Sequence, residues 1–256
     1  MRRTPFFLPL CILFGALPAC AQNQEPKRYG YKVEEVLPHD ENAYTQGLFI
    51  HEGFLYQSTG QRGSSYLQKI DFRQGRVVQS VALKPQYFGE GACIHKDRIY
   101  QLTWEEHTCF VYDAKSLQQI GTLSYREEGW GLTSDGVRLI MSDGSSTLYF
   151  RDPETFAVLS TLKVTDGKRE VELLNELEYI DGEVWANIYT TDRIVRIDPA
   201  TGKVTGIIDL TGLLARQYQT PRTEVLNGIA YDFDRKHIYV TGKYWAKMYR
   251  ISLTTK

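Results

Sequence analysis

The sequence predicts an all-β fold in which one unit of strands recurs five times around a ring. Each unit opens on a polar or aromatic residue that precedes a short run of small and apolar residues. These anchor residues lie 44, 40, 45 and 52 positions apart. They are Gln46, Glu90, Trp130, Asn175 and Asn227. A period of about 40 to 50 residues made of strands is typical of a propeller, because one unit cannot bury both of its faces alone.

A second β-rich segment follows each anchor at a nearly constant offset. These segments begin at Leu55, Ile99, Leu139, Val184 and Ile238. Third segments follow in every repeat and fourth segments in the first four, separated by turn sequences such as Asp198–Gly202. Each repeat is therefore predicted to form four antiparallel strands.

The two ends of the chain are complementary. The fifth repeat lacks a fourth strand because the chain ends at Lys256, whereas Tyr31–Leu37 precedes the first anchor and has the pattern of a fourth strand. Pairing these ends would close the ring and remove exposed sheet edges. We predict a closed five-bladed β-propeller over residues 31–256, with the N-terminal strand completing the last blade. An open β-sandwich would explain neither the constant register nor the complementary ends.

The N-terminus has the pattern of an export signal. Two arginines precede the apolar stretch Phe6–Ala19, which is interrupted by prolines and is too short to span about 30 Å of hydrocarbon. We interpret residues 1–21 as a signal peptide and residues 22–30 as a linker. Cleavage would give a periplasmic or secreted protein. Lipidation of Cys20 is the alternative, and it would give an outer-membrane lipoprotein with a lipid anchor but no membrane span.

Charge and histidine placement exclude several classes of function. The chain has 30 Lys and Arg against 31 Asp and Glu, without a basic run, so no nucleic acid partner is expected. Its five histidines are scattered, and no pair has metal-ligand spacing. We predict no metal site of the zinc type.

Only two cysteines remain after export, and they are predicted to be free. Cys93 falls in the first strand of its repeat and Cys109 in the third. Two strand spacings of about 4.8 Å separate them, whereas the Cα atoms of a disulfide are rarely more than about 7 Å apart. We expect two buried thiols.

The anchors are predicted to converge, because the first strand of every propeller blade lines the central channel. Second strands end near the same face and bring Trp104, Tyr189 and Lys243 to it. A mouth that combines the carboxyl group of Glu90, an ammonium group and aromatic rings suits a small cationic or amide-bearing ligand. The alternative is a structural channel whose polar residues bond to one another or to water.

Several motifs of the chain resemble those of the plant and bacterial type of glutaminyl cyclase. They include FGEG at Phe88–Gly91, EGWGLT at Glu128–Thr133, NELEY at Asn175–Tyr179, EVWAN at Glu183–Asn187, LNGIAYD at Leu226–Asp232 and VTGKYW at Val240–Trp245. The resemblance spans essentially the whole mature chain. It implies cyclisation of the N-terminal glutamine of peptides or proteins to pyroglutamate with loss of ammonia, with neither a catalytic metal nor a cofactor.

The resemblance also implies roles for individual residues. Glu90 corresponds to the acid/base. The resemblance also implies five residues of the substrate pocket, which are Gln46, Trp104, Trp130, Asn175 and Lys243. Tyr189 departs from the family pattern, which often has Trp at this position; a tyrosine would still supply a flat face and would add a hydroxyl group.

The reaction requires a proton shuttle, which one carboxyl group can provide. Glu90 would take the proton of the substrate amine and return it to the leaving nitrogen, while Lys243, Asn175 or Gln46 hold the amide and the developing oxyanion. The expected partners are substrates with N-terminal Gln, and the expected state is a monomer. The segment Thr211–Val225 is an insertion that could cover the mouth.

Two other functions fit the same pattern. A secreted propeller could bind a small ligand or a protein at its central mouth without turnover, which would need no proton shuttle. A hydrolase or lactonase could instead hold a calcium ion on the axis, with Glu90, Asn175 and Asn227 supplying part of the ligand set.

Overall fold

The computed structural model describes residues 25–255, which are almost entirely β-strand. The one helical element of this region is a 3-10 turn at Arg216–Tyr218. In chain order the strands are β1 (Lys27–Pro38), β2 (Thr45–His51), β3 (Phe54–Thr59), β4 (Tyr66–Asp71), β5 (Arg76–Ala82), β6 (Gly89–His95), β7 (Arg98–Thr103), β8 (Thr108–Asp113), β9 (Gln119–Ser124), β10 (Leu132–Ser134), β11 (Leu139–Ser142), β12 (Thr147–Arg151), β13 (Val158–Lys163), β14 (Thr165–Asp166), β15 (Arg169–Glu170), β16 (Leu174–Ile180), β17 (Glu183–Ile188), β18 (Arg193–Ile197), β19 (Val204–Asp209), β20 (Leu226–Asp232), β21 (His237–Gly242) and β22 (Lys247–Thr255). The all-β prediction is confirmed.

The strands form four larger sheets and one short hairpin. Three sheets are four-stranded antiparallel meanders, in the orders β2-β3-β4-β5, β6-β7-β8-β9 and β10-β11-β12-β13. The fourth sheet has eight strands in the order β16-β17-β18-β19-β1-β22-β21-β20. Strands β14 and β15 pair only with each other. Each four-stranded sheet therefore follows the strand order that the repeat predicted.

The N-terminal strand joins the two ends of the chain, as predicted. Strand β1 pairs antiparallel with β22, from Tyr29 opposite Thr255 to Pro38 opposite Lys247. Its first residues also pair in parallel with β19, where Tyr29 lies opposite Ile208. This second pairing fuses the two halves of the eight-stranded sheet.

The strand begins four residues earlier than the sequence indicated, so residues 27–30 are strand rather than linker. The cause lies at Gly206 on β19. A Cβ atom at Gly206 would approach the ring of Tyr29 to 2.9 Å, so the glycine leaves room for the ring to lie against β19. Arg196 also stacks on the Tyr29 ring, with 5.2 Å from its guanidinium carbon to the ring centroid. The predicted signal peptide and Cys20 lie outside the described residues.

Five strands form a cyclic series of contacts at the centre of the molecule. Strand β2 contacts β6, β6 contacts β10, β10 contacts β16, β16 contacts β20, and β20 returns to β2. Glycines that follow the anchors permit this approach. A Cβ atom at Gly91 would lie 2.5 Å from the carbonyl oxygen of Trp130, and one at Gly131 would lie 1.9 Å from that of Asn175.

In β16 a glutamate takes the place of this glycine. Glu176 accepts hydrogen bonds from the backbone N–H of Leu48 at 3.2 Å and of Ile229 at 2.7 Å. Strand β2, which carries Leu48, is not a ring neighbour of β16, so this side chain crosses the centre of the ring. Glu178, two residues further, accepts from the N–H of Tyr231 at 2.9 Å. Burial raises the pKa of Glu176 well above its usual value and that of Glu178 to about 8.

The apolar core lies between adjacent sheets and, within the eight-stranded sheet, between its two halves. Trp185 and Trp245 are buried in one such cluster, which also includes Leu213 and Leu214 of the insertion. Cys93 and Cys109 are buried free thiols, on β6 and β8 with β7 between them, as predicted. Within residues 25–255 no helix is long and apolar enough to cross a membrane.

Candidate active site

A cavity of about 260 Å³ opens where the inner strands begin and the second strands of the repeats end. In an antiparallel pair these two ends are adjacent, as Gly89 is opposite Thr103 and Leu174 is opposite Ile188. All seven site residues that the sequence predicted line this cavity. They are Gln46, Glu90, Trp104, Trp130, Asn175, Tyr189 and Lys243.

A buried row of polar groups forms one wall of the cavity. The side-chain amide of Gln46 donates a hydrogen bond to Glu90 Oε1 at 2.8 Å. Its carbonyl oxygen Oε1 accepts one from Lys243 Nζ at 2.6 Å. Gln46 therefore connects the ammonium group to the carboxyl group, and each of the three side chains is at most 4 % exposed.

Asn227, the fifth anchor, supports this row from outside the cavity. Its Nδ2 donates to Gln46 Oε1 at 3.2 Å and to the carbonyl oxygen of Thr45 at 2.9 Å. Asn227 is fully buried and is absent from the cavity lining. It orients Gln46 and has no path to a ligand.

Burial shifts the pKa values of Glu90 and Lys243 towards each other. The pKa of Glu90 lies well above its usual value because the carboxylate is removed from water, although Lys243 and the Gln46 amide both favour its charged form. The pKa of Lys243 falls to about 8 for the same reason, while the charges of Glu90 and Glu224 oppose the shift. Burial thus makes Glu90 a weaker acid than in water and makes Lys243 easier to deprotonate, and a carboxyl group that keeps its proton can act as a general acid.

Aromatic rings hold the Lys243 ammonium group in this partly dry site. Its Nζ lies 4.3 Å from the ring centroid of Tyr44 and 5.2 Å from that of Tyr189. Such cation–π contacts replace part of the lost hydration. Tyr189 also meets Trp130 edge to face, with 5.5 Å between centroids. The tyrosine at this position thus supplies an aromatic face, here turned towards the ammonium group.

Another part of the lining is aromatic and includes two indoles, which share one carboxylate outside the lining as their acceptor. Trp104 Nε1 donates to Glu128 Oε2 at 2.7 Å, and Trp130 Nε1 donates to the same oxygen at 3.0 Å. Phe88 packs against Trp104, with 5.7 Å between ring centroids. The cavity thus has a polar side and a flat aromatic side.

Asn175 carries an acceptor with no partner in the described part of the chain. Its Oδ1 is buried and unbonded, and the residue lines the cavity. The backbone carbonyl of Asn175 is fixed by the Ser142 hydroxyl, which donates to it at 2.7 Å. A ligand amine or amide N–H could satisfy Oδ1.

Three further lining residues were missed by the sequence prediction: Tyr44, Gln61 and Phe88. Tyr44 and Phe88 lie two residues before Gln46 and Glu90, so the two-residue period of a strand would have placed them on the same face. Gln61 follows β3 in a turn with a φ of 94°, and no sequence pattern marks it.

The insertion at 211–225 lies beside the cavity. Its last residues pair with the backbone of Lys243, with Lys243 N–H bonded to the Val225 carbonyl at 2.9 Å and Glu224 N–H bonded to the Lys243 carbonyl at 3.0 Å. None of its residues is among those that line the described cavity. The insertion therefore contacts the site through backbone hydrogen bonds between its last two residues, Glu224 and Val225, and Lys243.

Across residues 25–255 the structure brings no three His, Cys, Asp or Glu side chains into an arrangement that could hold a metal ion. Of the three residues considered for a calcium site, Glu90 bonds Gln46, whereas the amide oxygens of Asn175 and Asn227 have no hydrogen-bond partner among residues 25–255. The expectation of metal-independent chemistry stays a prediction.

Comparison with known proteins identifies the family. The family model described as glutamine cyclotransferase matches residues 8–253. The chain belongs to the glutamine cyclotransferase family. A glutaminyl-peptide cyclotransferase of Arabidopsis thaliana is 38 % identical over 271 aligned positions, which cover 98 % of this chain and 84 % of that protein.

A solved structure supports the same assignment of this glutamine cyclotransferase family member. The crystal structure of Myxococcus xanthus glutaminyl cyclase superposes with a TM-score of 0.84 at 36 % sequence identity. The match covers 91 % of this chain and 100 % of that one. The resemblance found in the motifs of the sequence is confirmed.

Proposed function

We propose that this glutamine cyclotransferase converts the N-terminal glutamine of peptides and proteins into pyroglutamate and releases ammonia. Family membership and the names of its two relatives support this activity. The observation that carries the proposal for the site is the row of Lys243, Gln46 and Glu90 along one wall of an aromatic cavity. A cavity of about 260 Å³ suits one glutamine side chain with its amine.

In this proposal Glu90 handles both protons of the reaction. The neutral α-amine attacks the γ-carboxamide carbon, and a carbon–nitrogen bond forms. Glu90 gives a proton to the carboxamide nitrogen, which leaves as ammonia, and takes one from the attacking nitrogen, which becomes the lactam N–H. The carboxyl group returns to its starting protonation state, and the raised pKa of Glu90 favours the protonated form that donates to the leaving nitrogen.

Lys243 and Asn175 orient the reacting groups. The Lys243 ammonium group lies in a buried site, where its charge stabilises an oxyanion on the substrate carbonyl more than it would in water. Asn175 Oδ1, which has no partner among residues 25–255, accepts from the substrate amine. Trp104, Trp130 and Tyr189 enclose the side chain and favour the folded conformer in which amine and carbonyl meet.

We also propose that the fold is a closed five-bladed propeller. The cyclic contacts of β2, β6, β10, β16 and β20 support five blades. In this interpretation the eight-stranded sheet is two blades, β16 to β19 and β20 to β22 with β1, joined by the parallel pairing of β1 with β19. We further propose that residues 1–21 direct export of the protein, with lipidation at Cys20 as the alternative. The protein is proposed to be a monomer.

A pair of variants tests the role of Glu90. Glu90→Gln keeps the shape of the side chain and removes its proton chemistry, so ammonia release from Gln-initiated dipeptides should fall by at least about 100-fold. Glu154→Gln, at an exposed carboxylate paired with Arg98, should leave the rate unchanged. Substantial turnover by a folded Glu90→Gln protein would reject the shuttle.

A further inference from the structure

Glu128 occupies a repeated position but differs in chemistry from its counterparts. It lies two residues before the anchor Trp130, as Tyr44 and Phe88 lie two residues before theirs. Tyr44 and Phe88 put aromatic rings into the cavity lining, whereas Glu128 is absent from the lining. Its carboxylate instead reaches two indoles that do line the cavity.

One carboxylate oxygen serves both rings. Glu128 Oε2 accepts from Trp104 Nε1 at 2.7 Å and from Trp130 Nε1 at 3.0 Å. An indole nitrogen is a donor only, so the position of its acceptor selects how the ring is turned. Trp104 follows β7 and Trp130 precedes β10, and these strands belong to different sheets. The carboxylate therefore ties together aromatic walls that come from two sheets.

The backbone around Glu128 is itself fixed. Gly129 N–H donates to the carbonyl oxygen of Trp104 at 3.0 Å, and a Cβ atom at Gly129 would lie 2.4 Å from the Thr103 carbonyl oxygen. Glu127 forms an ion pair with Arg151, which is 2 % exposed. Glu128 itself is exposed, so its carboxylate is held by the fixed backbone and by its two indole hydrogen bonds rather than by burial.

The two indoles also pack against neighbouring groups, and Trp130 meets Tyr189 edge to face. Phe88 packs edge-on against Trp104, and Arg62 lies 5.7 Å above the same ring. Trp130 lies close to Gly144, where an added Cβ would be 2.6 Å from the indole. In the described structure Glu128 Oε2 is the acceptor that both indole N–H groups share.

We propose that Glu128 is a positioning residue that sets the orientation of Trp104 and Trp130 and thereby the width of the substrate pocket. It does not touch the reacting atoms and acts through the two rings. The inference rests on the proposed function, because it takes the cavity to be the site where the N-terminal glutamine binds.

Three variants separate bonding from charge. Glu128→Ala removes both bonds and the charge, and KM for a Gln-initiated dipeptide should rise about tenfold, with kcat changed by less than about threefold, since binding is lost equally in substrate and transition state. Glu128→Gln keeps an acceptor oxygen and should restore KM to within about threefold of the parent. Glu105→Ala removes an exposed carboxylate that bonds Arg62 and neither indole, and KM should stay within about twofold.

Tryptophan fluorescence gives a readout that does not depend on turnover. Quenching by acrylamide should increase in Glu128→Ala and stay at the parental level in Glu128→Gln, because only the former frees the indoles. Unchanged quenching together with unchanged KM in Glu128→Ala would overturn the positioning role. Two other results would also overturn it: a KM for Glu128→Gln as high as that for Glu128→Ala, or an equal rise in KM for Glu105→Ala. Either result would mean that loss of negative charge, and not loss of the indole hydrogen bonds, raises KM. Increased quenching with unchanged KM would instead show that substrate binds elsewhere, which would contradict the proposed function of the cavity.

Discussion

Lys243 Nζ donates its 2.6 Å hydrogen bond to the carboxamide oxygen of Gln46. The amide nitrogen of the same group donates to Glu90 at 2.8 Å. A neutral side chain therefore separates the cation from the carboxyl group, and each charged form is stabilised less than in a direct ion pair. Burial then dominates both pKa values: it favours the protonated form of Glu90, and it lowers the pKa of Lys243 to about 8, close to that of the substrate amine.

Activity should decline on the alkaline side of neutrality. The pKa of Lys243 is about 8, and above it the ammonium group loses the charge that stabilises the oxyanion. The substrate amine has a pKa of about 8 as well, but its deprotonation raises the rate, so the two effects have opposite signs. We expect kcat/KM to fall as pH rises past about 8. A rate that keeps rising to pH 10 would contradict this role of Lys243.

Replacing Lys243 with methionine should remove that alkaline decline. Loss of the cation should lower kcat/KM by about 100-fold or more, in the range seen when one oxyanion donor is removed. It should also raise the pKa of Glu90 further, because Lys243 favours the ionised carboxylate. Lys69→Met is the matched control, since Lys69 lies over Phe54 and outside the cavity. Its pH profile should equal that of the parent.

Gln46→Leu should damage both stability and turnover. The change leaves Lys243 Nζ without its acceptor and Glu90 without its amide donor, and each buried polar group left unpaired costs about 1 to 3 kcal/mol. Urea unfolding would measure the loss, and ammonia release the activity. Gln57→Leu removes a buried amide that bonds Thr45 and His39, so it should lower stability while kcat/KM stays within about fivefold.

Glu178→Gln should flatten the dependence of stability on pH. The folded state holds this proton more tightly than the unfolded chain does, since the pKa of Glu178 rises from 4.5 to about 8. Its contribution is fully present below pH 4.5 and is lost as pH rises towards 8, by at most about 5 kcal/mol.

The measurement is the free energy of unfolding in urea at pH 5 and pH 8. Glu178→Gln keeps the acceptor oxygen for Tyr231 N–H and should lose less stability between these values than the parent. The exposed Glu172→Gln serves as the control and should follow the parent. Parallel curves for Glu178→Gln and parent would show that Glu178 is ionised in the folded protein.

Cyclisation should survive a strong chelator. The proposed mechanism uses Glu90, Lys243 and Asn175 alone, so overnight dialysis against EDTA should leave kcat unchanged. The measurement is ammonia release before and after dialysis, with and without added calcium or zinc. Loss of activity that one of these ions restores would point to a metal ion and would contradict the mechanism.

The repeat register explains why so much of the site could be predicted. Equivalent positions of a strand repeat become neighbours around one axis, so Gln46, Glu90 and Asn175 had to converge once the ring closed. The same register could also have supplied Tyr44 and Phe88, two residues before their anchors. Glu128 shares that position, but its contacts depend on how two indoles from different sheets are turned. The orientation of an indole ring cannot be deduced from the spacing of residues in the sequence.

Glu176 shows a second limit of the pattern. It replaces the glycine that follows the anchor in the other four repeats, and the sequence analysis passed over that difference. Its bonds cross the ring to Leu48 and Ile229, a partnership that only the assembled strands reveal. The early start of β1 likewise required Gly206 on a strand that lies far away in the sequence.

The double pairing of β1 has a consequence for the order of folding. Residues 27–38 belong to the eight-stranded sheet, and their contacts with 247–255 span more than 200 positions. Such a contact is slow to form because the intervening loop must first be closed. During synthesis the earlier sheets can form in turn, but β1 can pair with β22 only once the last residues are available. The pairing of β1 with β22 is therefore a late step, and loss of residues from either strand should leave an aggregation-prone intermediate with open sheet edges rather than a slightly smaller enzyme.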